Sequence, residues 1–570
     1  MADNPFARAT AWSLLDAIAA RHGRREAIVF GDERLTFAGL RDRARAFADG
    51  LAALGLGRGD ALAIWLPNRP LWFVAQYAAA SLGIIVVALN PRYRAHELSY
   101  ILGQSNAVAL LLTDRLGPID YFDTLEALLP ELADAVPGEL TSARFPKLRH
   151  VIVDADDVYP GCHRAADLME SAQPRRVSNR PPTNRAGLAD PATTSRSDMP
   201  DQSAPDQSVT PDSIFMLLYT SGTTSFPKGA IITHANCVPH GWNCGETLRL
   251  TAADRVLHAL PAAGTWGGVN IPLTAWSHGA CLVLMDVFDP LRALALVERE
   301  RCTVLNAVDS MLIPLLDHPD LARRDLSSLR TGGVAAVGGG RHGLLEEVLE
   351  RLVPLAFQPY GMTEVNAMSL VHDLDEPAGE RLVPGVWPAP GLEARIADPD
   401  TGKPSGIDVE GELQFRGPLV TRGYYDKPEE TQGAFTSDGW FKSGDLGVQD
   451  RAGRVIFRGR LKETLRISHH MVAPGEIEAF LLSHPAVGQA FVVGIPDAKT
   501  NEAPVAYVIR KPDARVTEDE LRAWCHGKIA SFKIPRGVRF VDDVPRTPSP
   551  HGDKVQRVKL REMAQRDFAR

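Results

Sequence analysis

Hydroxyl, glycine and lysine side chains crowd one short stretch of this chain. Tyr219–His234 reads YTSGTTSFPKGAIITH and follows the apolar run Ile214–Leu218. Small residues let backbone N–H groups come close to phosphate oxygens. Lys228 adds a compact positive charge to the same anion. The order of residues rules out a Walker A loop, which needs Gly-Lys followed by Ser or Thr; here Lys228 follows Pro227 and precedes Gly229. A bare Ser/Thr/Gly loop is more often an ordinary turn, and the Pro-Lys-Gly ending is what makes this string specific.

Further short strings follow in chain order. Tyr360–Glu364 reads YGMTE, which alone is weak, since a tyrosine beside a polar turn is commonly structural. Ser443–Leu446 reads SGDL after Asp438–Trp440, and an Asp there can accept both hydroxyls of a ribose. By itself an Asp in a glycine turn is a turn former. Gly459-Arg460 and Lys462 come next, then Phe532–Arg536 (FKIPR) and Val544–Lys554 (VPRTPSPHGDK).

Taken together, these strings resemble the motifs of the adenylate-forming superfamily: acyl-CoA synthetases, peptide-synthetase adenylation domains and luciferases. The likeness is greatest to acyl-CoA synthetases. It covers nearly the whole chain, leaving out only the stretch around 171–213. It implies that Thr220, Ser221, Gly222, Thr223 and Thr224, with Lys228, hold the phosphates of ATP. It implies that Tyr360 and Gly361 meet adenine, Thr363 the α-phosphate, Glu364 a Mg²⁺ ion, Asp445 the ribose and Arg460 the nucleotide. Lys462 falls at the interdomain hinge. Lys554 falls at the lysine that bridges the substrate carboxylate and the α-phosphate, with Lys533 and Lys559 as competing positions because the preceding loop is longer than usual. The roles suit the residues: Mg²⁺ prefers one or two carboxylates plus phosphate oxygens, and an aromatic ring offers a stacking face.

Three positions depart from the family pattern. Ser225 stands where glycine is common. In Leu260–Gly268 (LPAAGTWGG), Gly264 replaces an aromatic or histidine that commonly gates the passage from acyl site to CoA tunnel. Trp266 either fills part of that space or packs in the core, so a wide pocket for a bulky acid is one expectation. In Leu465–Pro474 (LRISHHMVAP), His469 aligns with a glycine that lies against the pantetheine tunnel in CoA-forming members. A side chain there obstructs the thiol, so the reading keeps two enzymatic outcomes: a complete synthetase using CoA, or an adenylating enzyme that passes the acyl group to a separate protein. A catalytically silent nucleotide-binding protein is the third reading, and the set Lys228, Glu364, Asp445, Lys554 argues against it.

The elements that position these residues are also legible. Ala61–Leu66, Ile84–Leu89 and Ala107–Leu112 are unbroken apolar runs of strand length, as expected of strands covered on both faces. Amphipathic stretches such as Phe37–Leu54 lie between and before them, which implies parallel strands with covering helices. Residues 171–213 are rich in Pro, Ser, Asp and Arg and cannot bury enough surface to offset their ordering, which predicts a mobile insertion. Short strands split by Gly and Asp turns predict a β-rich subdomain at 383–459. Gly475–Leu482 and Glu518–Ile529 read as helices, and Gln489–Val493 and Val505–Ile509 as strands. The fold class is therefore α/β: a large N-terminal domain (1–459) of layered α/β subdomains plus the β-rich subdomain, and a small, mobile α+β C-terminal domain (460–570).

Bulk properties bound the rest. A chain of 570 residues exceeds one core, and roughly two to four domains are expected. A net charge of -8 argues against a general nucleic-acid binder. The six cysteines form no CxxC pair and no zinc-ligand cluster, as in a protein of the reducing cytoplasm. Met1–Ala11 lacks the pattern of a signal peptide, and no apolar run is long enough to span a bilayer. The expected activity is ATP-dependent activation of a carboxylic acid to its acyl-adenylate with loss of pyrophosphate, with Mg²⁺ as cofactor and CoA as second substrate.

Overall fold

In the computed structural model of this protein the described residues are 4–171, 209–220, 227–335, 341, 343–467, 470–497, 500–526, 528–547 and 554–568. Most of the predicted 171–213 insertion lies outside them.

The apolar runs are strands. Ala61–Trp65, Ile85–Ala88 and Ala107–Thr113 pair in parallel at the centre of a seven-stranded sheet. Successive side chains of a strand point to opposite faces, and here the two faces enter different cores. Leu62 and Ile64 join one hydrophobic cluster, while Ala61, Ala63 and Trp65 join another. Burial on both faces is the usual state of a parallel sheet.

The first cluster lies between this sheet and an eight-stranded sheet. The helix Pro70–Leu82 belongs to it and is buried all round except at its last residue, as an apolar helix between two layers should be. It ends on Gly83, whose φ of 70° closes the helix in the left-handed region. Trp276 ties the layers together; it is fully buried, and its indole N–H donates to the Ala27 carbonyl at 3.1 Å. The eight-stranded sheet joins distant pieces of chain, since Glu26–Phe30 pairs in parallel with Cys281–Leu284.

The β-rich segment forms a four-stranded antiparallel sheet: Glu393–Ala397, Gly411–Arg416, Phe441–Gln449 and Val455–Arg460. A single 3₁₀ turn, Leu461–Glu463, follows. The chain then builds a separate five-stranded sheet with the helices Pro474–Leu482, Glu518–Cys525 and Arg557–Asp567 around its own cores. The predicted helix Glu518–Ile529 is shorter than expected: His526 is already extended, and the glycine after it has little preference for helix.

All six cysteines are free and buried. Burial pushes the thiols of Cys162, Cys244, Cys281 and Cys302 up to about 12. No described helix is long and apolar enough to cross a membrane.

Candidate active site

Ile214–Thr220 is the sixth strand in the order of the seven-stranded sheet, and it pairs antiparallel with Lys228–Thr233 at the edge. The register sets Thr220 opposite Lys228, so these two residues bracket the hydroxyl-rich loop. Ser221, Gly222, Thr223, Thr224 and Ser225 lie outside the described residues. Lys228 sits over the ring of Tyr424, its Nζ 5.1 Å from the ring centre, a distance at which a cation is attracted to the ring face.

Glu364 is the convergence point. It begins 60 residues upstream of Tyr424, whose hydroxyl donates to its Oε1 at 3.0 Å; Thr220 Oγ1 donates to the same oxygen at 3.4 Å. Its backbone carbonyl accepts from Thr421 N at 2.7 Å. The carboxyl is only 5% exposed. Desolvation raises its pKa, and the hydrogen bonds and Arg460 only partly offset that. A buried carboxylate hydrogen-bonded to Thr220 would gain from a cation at its free edge, so the donor set fits Mg²⁺. Among the described residues no group of three acid, His or Cys side chains could hold a metal ion by itself, and phosphate oxygens and water would complete the shell of such an ion. Next to it, Thr363 Oγ1 is 2.9 Å from Thr265 Oγ1 and shares a hydrogen bond with it.

Asp445 occupies the second half of the site. The strand Phe441–Gln449 carries a bulge opposite Glu412–Gln414, with Gly444 at φ 70°. Such a bulge re-aims the next side chain. Asp445, 2% exposed, accepts from the Tyr360 hydroxyl at 2.6 Å and pairs with Arg460 of the neighbouring strand at 2.9 Å. Burial raises its pKa to about 6, against the pull of Arg460 and Tyr360. Tyr360 stacks on Phe415, ring centres 5.9 Å apart and 18° from parallel. Gly361 runs so close to the chain at Ala367–Met368 that a Cβ would come within 2.6 Å of it.

Gly264 caps a one-turn π-helix, Thr265–Asn270, a conformation frequent at functional sites. Trp266 is half-buried against the main core and also abuts Gly333, where a Cβ would stand 3.0 Å from its ring. It therefore packs in the core and abuts the middle of the strand Thr331–Ala335 as well.

Past Arg460, Lys462 is exposed within its 3₁₀ turn. Arg557 clasps the neighbouring Glu463 at 2.9 Å and grips buried Glu478 with both Nη atoms, at 2.8 and 3.0 Å. Three residues earlier, Lys554 opens the strand Lys554–Val555, in register with Thr547. Of the competing lysines, Lys533 is committed to Glu476 at 2.5 Å, and Lys559 is exposed on the last helix. The paired residues Ile467 and His470 bracket Ser468 and His469, which lie outside the described residues.

Sequence reasoning missed Tyr424, which touches both Lys228 and Glu364. Nothing in the string TRGYY marks it, because its role exists only after Tyr425 N bonds to the Gly229 carbonyl at 2.8 Å and draws the segment alongside the edge strand.

The chain is similar to known proteins over nearly its whole length. Residues 15–425 match the family model for an AMP-binding enzyme, and residues 476–550 match that for an AMP-binding enzyme C-terminal domain. The chain is 36% identical to a putative acyl-CoA synthetase, YngI, of Bacillus subtilis, over 96% of each chain. It is 32% identical to the mitochondrial medium-chain acyl-CoA ligase ACSF2 of Mus musculus, over 98% of this chain and 88% of that one. The crystal structure of ATP-bound MatB from Rhodopseudomonas palustris superposes with a TM-score of 0.80 at 26% identity, covering 98% and 99% of the two chains.

Proposed function

This chain belongs to the AMP-binding enzyme family, and from that premise we propose how its residues divide the work. The protein is an AMP-forming acid–thiol ligase of the acyl-CoA synthetase type. In the first step a carboxylate oxygen attacks the α-phosphorus of ATP, giving acyl-adenylate and pyrophosphate. In the second the CoA thiol attacks the acyl carbon, giving the thioester and AMP. The observation that carries the assignment is the convergence of Thr220 and Tyr424 on one buried carboxylate, Glu364, with Lys228 over the ring of the same Tyr424.

Carboxylate and triphosphate repel each other, so the first step depends on positioning and positive charge. Lys228 and the hydroxyl loop, Thr220–Thr224, hold the phosphates, and Lys554 spans the substrate carboxylate and the α-phosphate. Thr363 positions the α-phosphate, steadied by Thr265. Glu364 would hold Mg²⁺, whose charge offsets that of the phosphates. Tyr360, backed by Phe415, offers a face to adenine. Asp445 accepts the ribose hydroxyls, with Arg460 and Tyr360 fixing its carboxylate.

We place the domain boundary at Arg460–Glu463, between the last strand of the four-stranded sheet and the first of the five-stranded one. Rotation about Lys462 would withdraw Lys554 and present a second surface to the same adenylate. Six buried free cysteines fit a reducing cytoplasm.

Incubating the protein with Mg-ATP and a panel of fatty and bulky acids, with and without CoA, tests the reading by mass spectrometry of products. Acyl-CoA and AMP are expected. Acyl-adenylate without acyl-CoA would limit the chain to activation and implicate His469; ATP binding without pyrophosphate would make it a silent binder.

The acid is a bulky one on this reading, because Gly264 leaves open the position of the gate. Gly264→Phe is expected to lower kcat/KM for the bulkiest substrates about 10–100-fold, the scale of lost fit in an apolar pocket, and to affect small acids little. Equal losses across the panel would refute the wide pocket.

A further inference from the structure

Directly after Glu364 the backbone does something unusual. Asn366, Ala367 and Met368 have φ values of 61°, 53° and 30°. Residues with side chains rarely enter this left-handed region, and three in succession persist only where their surroundings over-determine them. The turn folds back over Gly361, the glycine whose missing Cβ makes room for it. Local bonds support it: Ala367 N donates to the Met362 carbonyl at 3.0 Å, and Ser369 Oγ donates to the carbonyls of Val365 at 2.6 Å and Ala367 at 2.9 Å. Asn366 Nδ2 donates to the Leu419 carbonyl at 2.8 Å.

A second support from elsewhere in the chain comes from an imidazole. His240 lies on the helix His234–Thr247, which continues from the strand that Lys228 opens. Its Nε2 is 3.1 Å from the Ala367 carbonyl. A carbonyl only accepts, so the Nε2 carries the proton. The ring is 1% exposed, and burial lowers its pKa to about 4, which keeps the imidazole neutral in this role.

We propose that His240 is a positioning residue for adenylation: by donating to the Ala367 carbonyl it holds the left-handed turn that aims Thr363 and Glu364 at the phosphates of ATP. The proposal rests on the roles given above to those two residues. It links the element that carries Lys228 to the turn that carries Glu364, so that both partners of the triphosphate move as one body.

The test uses the full-length protein and three substitutions. His240→Leu removes the donor at similar volume, His240→Gln keeps a side-chain N–H at similar reach, and His240→Asn shortens the side chain. In His240→Leu the half-saturating Mg²⁺ concentration for ATP–pyrophosphate exchange should rise about tenfold and exchange should slow about 10–100-fold, the scale of a misplaced reacting group. Calorimetry with a non-hydrolysable ATP analogue should show a matching loss of the affinity gained on adding Mg²⁺. Thioester formation from supplied acyl-adenylate and CoA should stay within about threefold, because that step does not use the metal-bound triphosphate. His240→Gln should recover most of the Mg²⁺ dependence. Unchanged Mg²⁺ dependence in His240→Leu, equal loss of both half-reactions, or no recovery in His240→Gln would each overturn the proposal. Should His240→Leu fail to fold, His240→Asn, whose amide is too short to reach the Ala367 carbonyl, is read in its place, and a normal Mg²⁺ dependence there overturns it. Glu364→Gln separates the two layers: normal Mg²⁺ dependence in that variant refutes the Glu364 assignment itself, whereas a shift there with none in His240→Leu refutes only the role of His240.

Discussion

Lys554→Ala is expected to cut acyl-adenylate formation about 10²–10³-fold, the usual loss when one fixed electrostatic partner of a transition state is removed. The same variant should convert supplied acyl-adenylate and CoA to thioester at close to the normal rate. The split follows from where Lys554 sits. It opens a two-residue strand whose register with Thr547 is fixed, three residues before Arg557, and Arg557 is anchored to both Glu478 and Glu463 of the 3₁₀ turn. The lysine therefore travels with the C-terminal domain. On the proposed rotation it is present for the first reaction and withdrawn for the second. ATP–pyrophosphate exchange set against single-turnover thioester formation reads the two steps separately. Full exchange activity in Lys554→Ala would refute the assignment. The competing Lys533 is paired with Glu476.

The second large effect concerns Asp445. Asp445→Asn keeps the shape and removes the charge. A hydrogen bond to a charged group contributes about 1.5–3 kcal/mol, so KM for ATP should rise about 10–100-fold with kcat little altered. The pH dependence has a definite sign. The carboxyl normally titrates near 3.8 and is raised to about 6 here. As pH falls through about 6 the free enzyme gains a proton on Asp445 and loses its charged ribose acceptor, so kcat/KM for ATP should fall on that acid limb. The limb should be absent in Asp445→Asn. For stability, the folded chain holds this proton more tightly than the unfolded chain does. Its contribution is therefore present below about 4 and is lost as pH rises through about 6. Above that pH the nucleotide-free Asn variant should melt no lower than the parent. An acid limb that survives in the variant would assign it to another group.

The sequence reading and the structure agree where short-range order decides. Ala61–Trp65 is wholly buried, as its unbroken apolar run demands, and Phe37–Ala53 is a helix, as its period demands. What escaped notice depends on long-range pairing. That Glu26–Phe30 joins a sheet made mainly of residues beyond 255 follows from no local pattern. The site divides in the same way. Glu364, Asp445 and Lys228 stood in recognisable strings. Tyr424 and His240 did not, because each acts through a partner 60 or more residues away: Tyr424 on Glu364, and His240 on a carbonyl, which has no residue identity to read.

The buried cysteines carry a consequence for an enzyme whose second substrate is itself a thiol. Mixed-disulfide formation requires an accessible thiolate on the protein. Here every sulfur is enclosed and, for four of the six, held near pKa 12. Oxidised CoA therefore finds no sulfur on the folded surface to capture. The ligase can work in a thiol pool whose redox state fluctuates without becoming a sink for its own substrate, and a colour reagent for free thiols added to the native enzyme reports CoA consumption rather than the protein.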